Sequence, residues 1–375
     1  MKTSGKPQDL EPPKLPSFTV RKSIKDEESF EEIKKKLKPT KTIVKTRAQM
    51  FKEIDEDSSK ELSKIQPIPR KMIKINENKN NNPTFTLMTH NILADCYTSF
   101  NSFPKVNKSH LIYSFRKQSI LRELKTYLPD IICLQELEGS AYDDFYSVEL
   151  SKENYESEFS IRSSMKPWED STTNSKWEGV AIFYKKKKFE LIKKYEFYFN
   201  MIAYEHMKKG QLNERDISTY CMMSHNVALC LVLKSIEDSK LIVITTTHAN
   251  WNYENIEAQL WQNKVHYEEI EKVLDDLNGK YCLIIAGDFN SKPDSKVYEY
   301  FNEKLTSSYS NFPNEKEAPI TAHGGLILDY IWYSNHSLEC VEILDIPEEL
   351  RKEESFPSIN YPSDHISLMS TFTMK

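Results

Sequence analysis

Leu283-Ile284-Ile285-Ala286-Gly287-Asp288-Phe289-Asn290 is an apolar run that opens directly into Gly-Asp-Phe-Asn. Four apolar residues in succession suit a strand covered on both faces. Such a strand has no structural use for an acid and an amide at its C-terminal end, where a sheet presents side chains into a cleft. The arrangement recurs outward in both directions. Upstream, Phe85–Met88 runs towards Asn91, Ile131–Leu134 towards Glu136, and Leu241–Thr247 into His248. Downstream, Leu326–Tyr333 carries Asp329, and the last strand, expected at His365–Thr373, begins beside Asp364. A lone acid at a strand end reads as a turn residue or a cap. So many of them between Asn91 and His365 point to one shared site.

Val180–Tyr184 and Asn226–Leu233 read as further core strands. Arg116–Tyr127, with Ile120, Leu121 and Leu124 on one face, and Ile256–Leu274 have helical spacing. Strand, helix, strand, then many strands with few helices argues for a mixed α/β sandwich and against a regular βα repeat.

These side chains are the groups that phosphoester hydrolysis needs. Mg²⁺ prefers oxygen ligands and is usually held by one or two carboxylates plus a substrate phosphate. Glu136 suits the first carboxylate, with Asp364 binding directly or through water, and Mn²⁺ is the alternative ion. A carboxylate such as Asp288 suits activation of the attacking water. Asn91, Asn290, His248 and His365 suit stabilisation of charge on the phosphoryl oxygens. Asp329 suits the task of holding an imidazole in one orientation.

The matching stretches run in order. They are HNILAD (His90–Asp95), PDIICLQE (Pro129–Glu136), WEGVAIFY (Trp177–Tyr184), NVALCLVL (Asn226–Leu233), TTHANW (Thr246–Trp251), AGDFNSKPDS (Ala286–Ser295), LDYIWYS (Leu328–Ser334) and YPSDH (Tyr361–His365). Together they resemble the exonuclease–endonuclease–phosphatase superfamily, and within it the branch of carbon-catabolite-repression deadenylases, nocturnin, Angel and 2′-phosphodiesterase. The resemblance covers essentially all of 83–375, and the ordered set is far more specific than GDFN or SDH alone.

The resemblance implies a DNase I-like four-layered α/β sandwich, two packed mixed sheets flanked by helices. It implies Glu136 and Asp364 on the metal side and Asp288 and Asn290 for water activation and phosphate positioning. Asn91 and Asn226 would lie near the phosphate, His248 on it, and Asp329 would pair with His365. The activity implied is 3′-to-5′ exoribonuclease action, on poly(A) or a trimmed RNA 3′ end. The alternative is a phosphatase acting on a small nucleotide such as NADP(H) or on a terminal RNA phosphate. A rival of another class, an inactive scaffold in an RNA-processing complex, is disfavoured because the reacting groups are all present.

Two departures bear on substrate. Many deadenylases have an aromatic shortly before the LDYI Asp, where this chain reads Ala322-His323-Gly324-Gly325. The segment after His248 is instead similar to RNA-cleaving members, which leaves Trp251 as the aromatic expected to stack on a base. The leucine-rich repeats that tether deadenylases to their complex are not evident, so no such tether is expected.

Composition sets the remaining bounds. The 375 residues carry a net charge of −5, without the basic excess of a dedicated nucleic-acid binder. Residues 1–82 are rich in Lys, Glu, Pro and Ser, and read as a charged, largely disordered extension with a short helix conceivable at Glu28–Leu37, ahead of a catalytic domain at 83–375. Six cysteines without a C-x-x-C pair read as reduced and structural. No apolar stretch approaches about 18 residues. The expectation is an intracellular monomer without a membrane partner, cytoplasmic or nuclear, with the mitochondrion also open.

Overall fold

The computed structural model describes residues 68–77, 82–99, 102–162, 178–212, 225–251, 255–277 and 281–375. The helix expected at Glu28–Leu37, Trp177 and Cys221 lie outside the described residues.

Two sheets carry the fold. The first has seven strands in the order β1-β12-β13-β2-β3-β5-β4 and the second six in the order β10-β11-β9-β8-β7-β6. The first sheet comprises β1 (Met72–Lys74), β2 (Thr84–Asn91), β3 (Ile131–Glu138), β4 (Tyr155–Ile161), β5 (Glu178–Lys185), β12 (Leu338–Leu344) and β13 (Leu368–Met374). The second comprises β6 (Phe189–Tyr198), β7 (Val227–Ser235), β8 (Leu241–His248), β9 (Tyr281–Asp288), β10 (Thr306–Ser307) and β11 (Asp329–Tyr333). The main helices are α1 (Tyr113–Tyr127), α2 (Phe199–Lys208), α3 (Ile256–Asp276) and α4 (Lys296–Asn302).

Among the described residues each sheet holds a single parallel pair, β2 with β3 and β8 with β9, and the other pairings are antiparallel. A parallel pair needs a crossover, which α1 supplies in one sheet and α3 in the other. The C-terminal ends of these four strands are where Asn91, Glu136, His248 and Asp288 stand.

Side-chain alternation then sorts the core. Phe85 and Leu87 on β2, Ile242 and Ile244 on β8, Ile284 and Ala286 on β9, and Ile331 on β11 fill the space between the sheets. Residues of opposite parity pack outward, Met88, Ile132 and Leu134 against α1, and Val243, Leu283 and Ile285 against α3. Both faces are buried, so the strands read as continuous apolar runs rather than alternating ones. Layers of helix, sheet, sheet and helix result, the four-layered sandwich expected.

Residues ahead of the boundary expected at Asn82 take part in the first sheet. Met72–Lys74 pairs antiparallel with Leu344–Glu342 at the sheet edge, and Arg70 just before it is buried. A three-residue edge strand in a polar stretch leaves no periodicity to read, and its stability comes from the sheet that receives it. Strands β4, β6 and β12 and helices α2 and α4 were not anticipated either.

Candidate active site

The inner-face parity of the core runs straight into the site. Continuing by twos from Leu87 leads to Asn91, from Ile244 to His248, from Ala286 to Asp288, and from Ile331 back to Asp329. Polar residues therefore replace apolar ones at the open edge of the inter-sheet layer. Gln135 Nε2 donates to Thr246 Oγ1 at 2.9 Å across the sheets, just below that edge.

Glu136 breaks the alternation. By parity it belongs to the outer face, but it adopts φ +55° and the β3–β5 register shifts between Leu134 and Leu137. Left-handed backbone at a non-glycine residue is sparsely populated and gathers at functional sites. The twist brings the carboxylate against Asn91, whose Nδ2 lies 3.0 Å from Glu136 Oε1 and 3.0 Å from Asp288 Oδ2. One amide thus bridges acids from both sheets. Glu136 Oε2 also accepts from Ala94 N at 2.9 Å. That loop is held by the buried Arg116, which donates to the carbonyls of Ile92 and Leu93 at 3.1 and 2.7 Å.

Gly287 lets the strands approach closely. A Cβ there would lie 2.1 Å from the Thr247 carbonyl oxygen, and φ is +150°. Beyond it Asp288 Oδ1 accepts from Asn290 N at 2.8 Å, with Asn290 at φ +48°. Asn290 Nδ2 donates to Ala249 O at 3.0 Å, and Gln259 Nε2 on α3 donates to the carbonyls of Asn250 and Asn290 at 2.7 and 3.0 Å.

Two imidazoles flank Asp288. His248 Nε2 lies 3.5 Å and His365 Nε2 3.7 Å from Asp288 Oδ2. His365 Nδ1 is 2.9 Å from Asp329 Oδ2. Burial opposes charge on His365, but Asp329 and Asp288 outweigh it and push its pKa well above the ordinary range. His248 is driven well below by burial, by Arg162 and by His365. The two imidazoles are pushed in opposite directions, His365 towards its charged form and His248 towards its neutral one, beside the same carboxylate oxygen.

The carboxylates resist ionisation as they stand. Burial and the neighbouring Asp364 and Glu178 raise Glu136 to about 8, and burial raises Asp288 to about 7. Crowded buried acids of this kind favour a bound cation, which would reverse the shift. The oxygen-only donors of Glu136 and Asp364 fit a hard ion such as Mg²⁺. Asp288, Asp329 and His365 also bring donor atoms within 4.8 Å of one another. There, however, His365 Nδ1 and Asp329 Oδ2 are already committed to each other.

Asn226 is buried and spends a donor on the His248 carbonyl at 2.7 Å, which places it behind His248. Trp251 is 66% exposed and follows the site strand β8 by three residues. The sequence reading missed Arg116, and it missed a cluster beside His248 in which Arg162 Nη1 donates to Tyr97 Oη at 2.8 Å and to Glu178 Oε1 at 2.5 Å. Arg116 does carry a signal, as a cation on the core-facing side of an amphipathic helix.

The endonuclease/exonuclease/phosphatase family model matches residues 88–365. That span contains every candidate residue from Asn91 to His365. The chain belongs to this family. Its relatives include members of the branch that its ordered motifs resemble. It is 28% identical to the CCR4-Not complex 3′-5′-exoribonuclease subunit Ccr4 of Yarrowia lipolytica, over 78% of this chain and 48% of that protein. The Ccr4 subunit of Saccharomyces cerevisiae is 29% identical over 77% of this chain and 38% of its own length. The chain thus spans at most about half the length of these curated relatives. Among solved structures, the human nocturnin catalytic domain with bound sulfate aligns with TM-score 0.63 and 26% identity, covering 83% of this chain and 99% of that one. ANGEL2, a 2′,3′-cyclic phosphatase, shares the fold with TM-score 0.68 at 23% identity, over 82% of this chain and 99% of that one. Among the described residues, no helix is long and apolar enough to cross a membrane.

Proposed function

We propose that this chain is a divalent-cation-dependent phosphodiesterase that removes nucleotides from the 3′ end of RNA. The observation that carries the reading is the convergence of Glu136, Asp288 and the His365–Asp329 pair around the Asn91 amide, in a chain related to proteins named 3′-5′ exoribonucleases.

Each side chain has a task on this reading. Glu136 and Asp364 hold the ion, which when bound supplies positive charge to the scissile phosphate. Asp288 orients the attacking water and takes its proton. The new P–O bond forms as the bond to the ribose 3′ oxygen breaks, which yields a nucleoside 5′-monophosphate and a fresh 3′-hydroxyl. The His365 cation, aligned by Asp329, and the Asn91 amide donate to the phosphoryl oxygens as charge builds there. His248 and Asn290 line the same space, with Asn226 behind His248. Trp251 offers an indole face to a base at the cleft mouth. RNA is the partner, and the chain works as a monomer in the cytoplasm or nucleus.

A second reading, a phosphatase on a small nucleotide, is favoured by one observation: Ala322–Gly325 contains no Phe, Tyr or Trp. Hydrolysis of an RNA oligomer by wild type, with Mg²⁺ or in EDTA, and by Glu136→Ala tests the proposal. Activity in EDTA, or in a folded Glu136→Ala enzyme, contradicts it.

A further inference from the structure

Arg70 and Glu123 form an ion pair at 3.3 Å with side chains only 1% and 5% exposed. Arg70 lies just ahead of β1 and Glu123 on the core-facing side of α1. Most of their remaining side-chain hydrogen bonds converge on one turn. Arg70 Nη1 donates to Ser367 Oγ and Nη2 to Ser367 O, both at 2.8 Å, while Nε donates to Asp345 O at 2.7 Å. Glu123 accepts from Ser367 Oγ at 2.8 Å and from Tyr361 Oη at 3.2 and 3.3 Å. Tyr361 Oη in turn accepts from Ser367 N at 2.7 Å.

Tyr361 and Ser367 are the two ends of the turn that carries Asp364 and His365. Inside the turn, Ser363 Oγ donates to Asn91 O at 2.7 Å, and His90 Nε2 donates to His365 O at 3.2 Å. A buried ion pair is weak evidence for stability, because desolvating both charges offsets their attraction. This one spends its hydrogen bonds on backbone and side chains that set the position of a loop.

We propose that Arg70 and Glu123 are positioning residues for hydrolysis: the buried pair grips both ends of the Tyr361–Ser367 turn and sets where Asp364 and His365 stand against Glu136 and Asp288. The proposal rests on the reading of Asp288 and His365 as reacting groups. Through this grip the segment ahead of β1 becomes part of the catalytic architecture. A displacement of about 1 Å in a reacting group costs on the order of a hundredfold in rate, so a modest slackening of the turn is legible in kcat.

The test is the full chain carrying Arg70→Met with Glu123→Gln. The pair removes both charges and keeps an acceptor for Tyr361 and Ser367. Steady-state kinetics on an RNA oligomer should show kcat down at least tenfold with KM within twofold, at a temperature where circular dichroism shows the variant folded. A purely structural pair predicts wild-type kcat in the folded fraction, and that result overturns the proposal. If the double variant does not fold, Tyr361→Phe decides, since it removes only one hydroxyl. A threefold or greater loss of kcat supports positioning, and an unchanged kcat overturns it. His365→Ala in parallel separates the two readings. If it stays active, the reading of the site fails. If it is inactive while the double variant keeps wild-type kcat, only the positioning proposal fails.

Discussion

His365 Nδ1 lies 2.9 Å from Asp329 Oδ2, and both side chains are buried. The carboxylate fixes the imidazole ring, stabilises its charged form and leaves Nε2 pointing at Asp288. Asn at position 329 keeps the volume but loses the charge and permits the wrong ring orientation. Asp329→Asn is expected to lower kcat by about a hundredfold or more, since the equivalent change in a serine protease triad costs roughly 10⁴. KM should move little. Wild-type kcat would show that the pair is structural only.

Glu136 is buried, and its ionisation is opposed by burial, Asp364 and Glu178. Without divalent cation, Glu136→Gln should therefore match or exceed the wild type in thermal stability. With cation the order reverses. An ion at 100 times its Kd adds about 2.7 kcal/mol to the wild type, and the variant should lose most of that gain. Thermal melts across a Mg²⁺ titration check this. An identical upward shift in both proteins would move the ion away from Glu136.

Trp251 exposes 66% of its surface, so little packing is at stake. Trp251→Ala should leave Tm within a degree or two. Stacking on a base is worth roughly 1–3 kcal/mol, so kcat/KM for an RNA oligomer should fall about tenfold while a minimal phosphoester is spared. Equal losses on both substrates would remove Trp251 from base recognition.

His266 on α3 is fully buried against Thr245, at 2.8 Å, and burial lowers its pKa to about 3. The unfolded chain binds a proton near pH 6.5 that the folded chain refuses. Stability carried by the neutral ring is therefore complete above pH 6.5 and lost as pH falls towards 3, at up to about 1.4 kcal/mol per unit. The difference between wild-type and His266→Gln denaturation curves isolates this group and should shrink as pH falls from 7 to 5. A constant difference would show that His266 does not titrate on unfolding.

The candidate site was legible because it prolongs the core. The apolar runs announce the strands, and an acid or amide at the end of each is out of place unless it faces a cleft. Glu136 shows the limit. Alternation would have turned it outward, and only the left-handed backbone at that residue turns it in. β1 and Arg70 were illegible for another reason: their charged, proline-rich surroundings match disorder, and their order comes from β12 and from Glu123 on a distant helix. Glu123 did leave a trace, as an acid beside Leu124 in an amphipathic helix. Of the Arg162–Tyr97–Glu178 cluster only Glu178 left one, inside the Trp177–Tyr184 stretch, since Tyr97 and Arg162 sit on separate segments with no shared pattern.

The most direct test of the central claim uses 5′-labelled RNA with an oligo(A) tail, incubated with the purified chain and Mg²⁺ and sampled over time, with NADPH assayed for phosphate release in parallel. The expected result is a ladder that shortens stepwise from the 3′ end and is abolished by EDTA. RNA that stays intact while NADPH loses phosphate would contradict it.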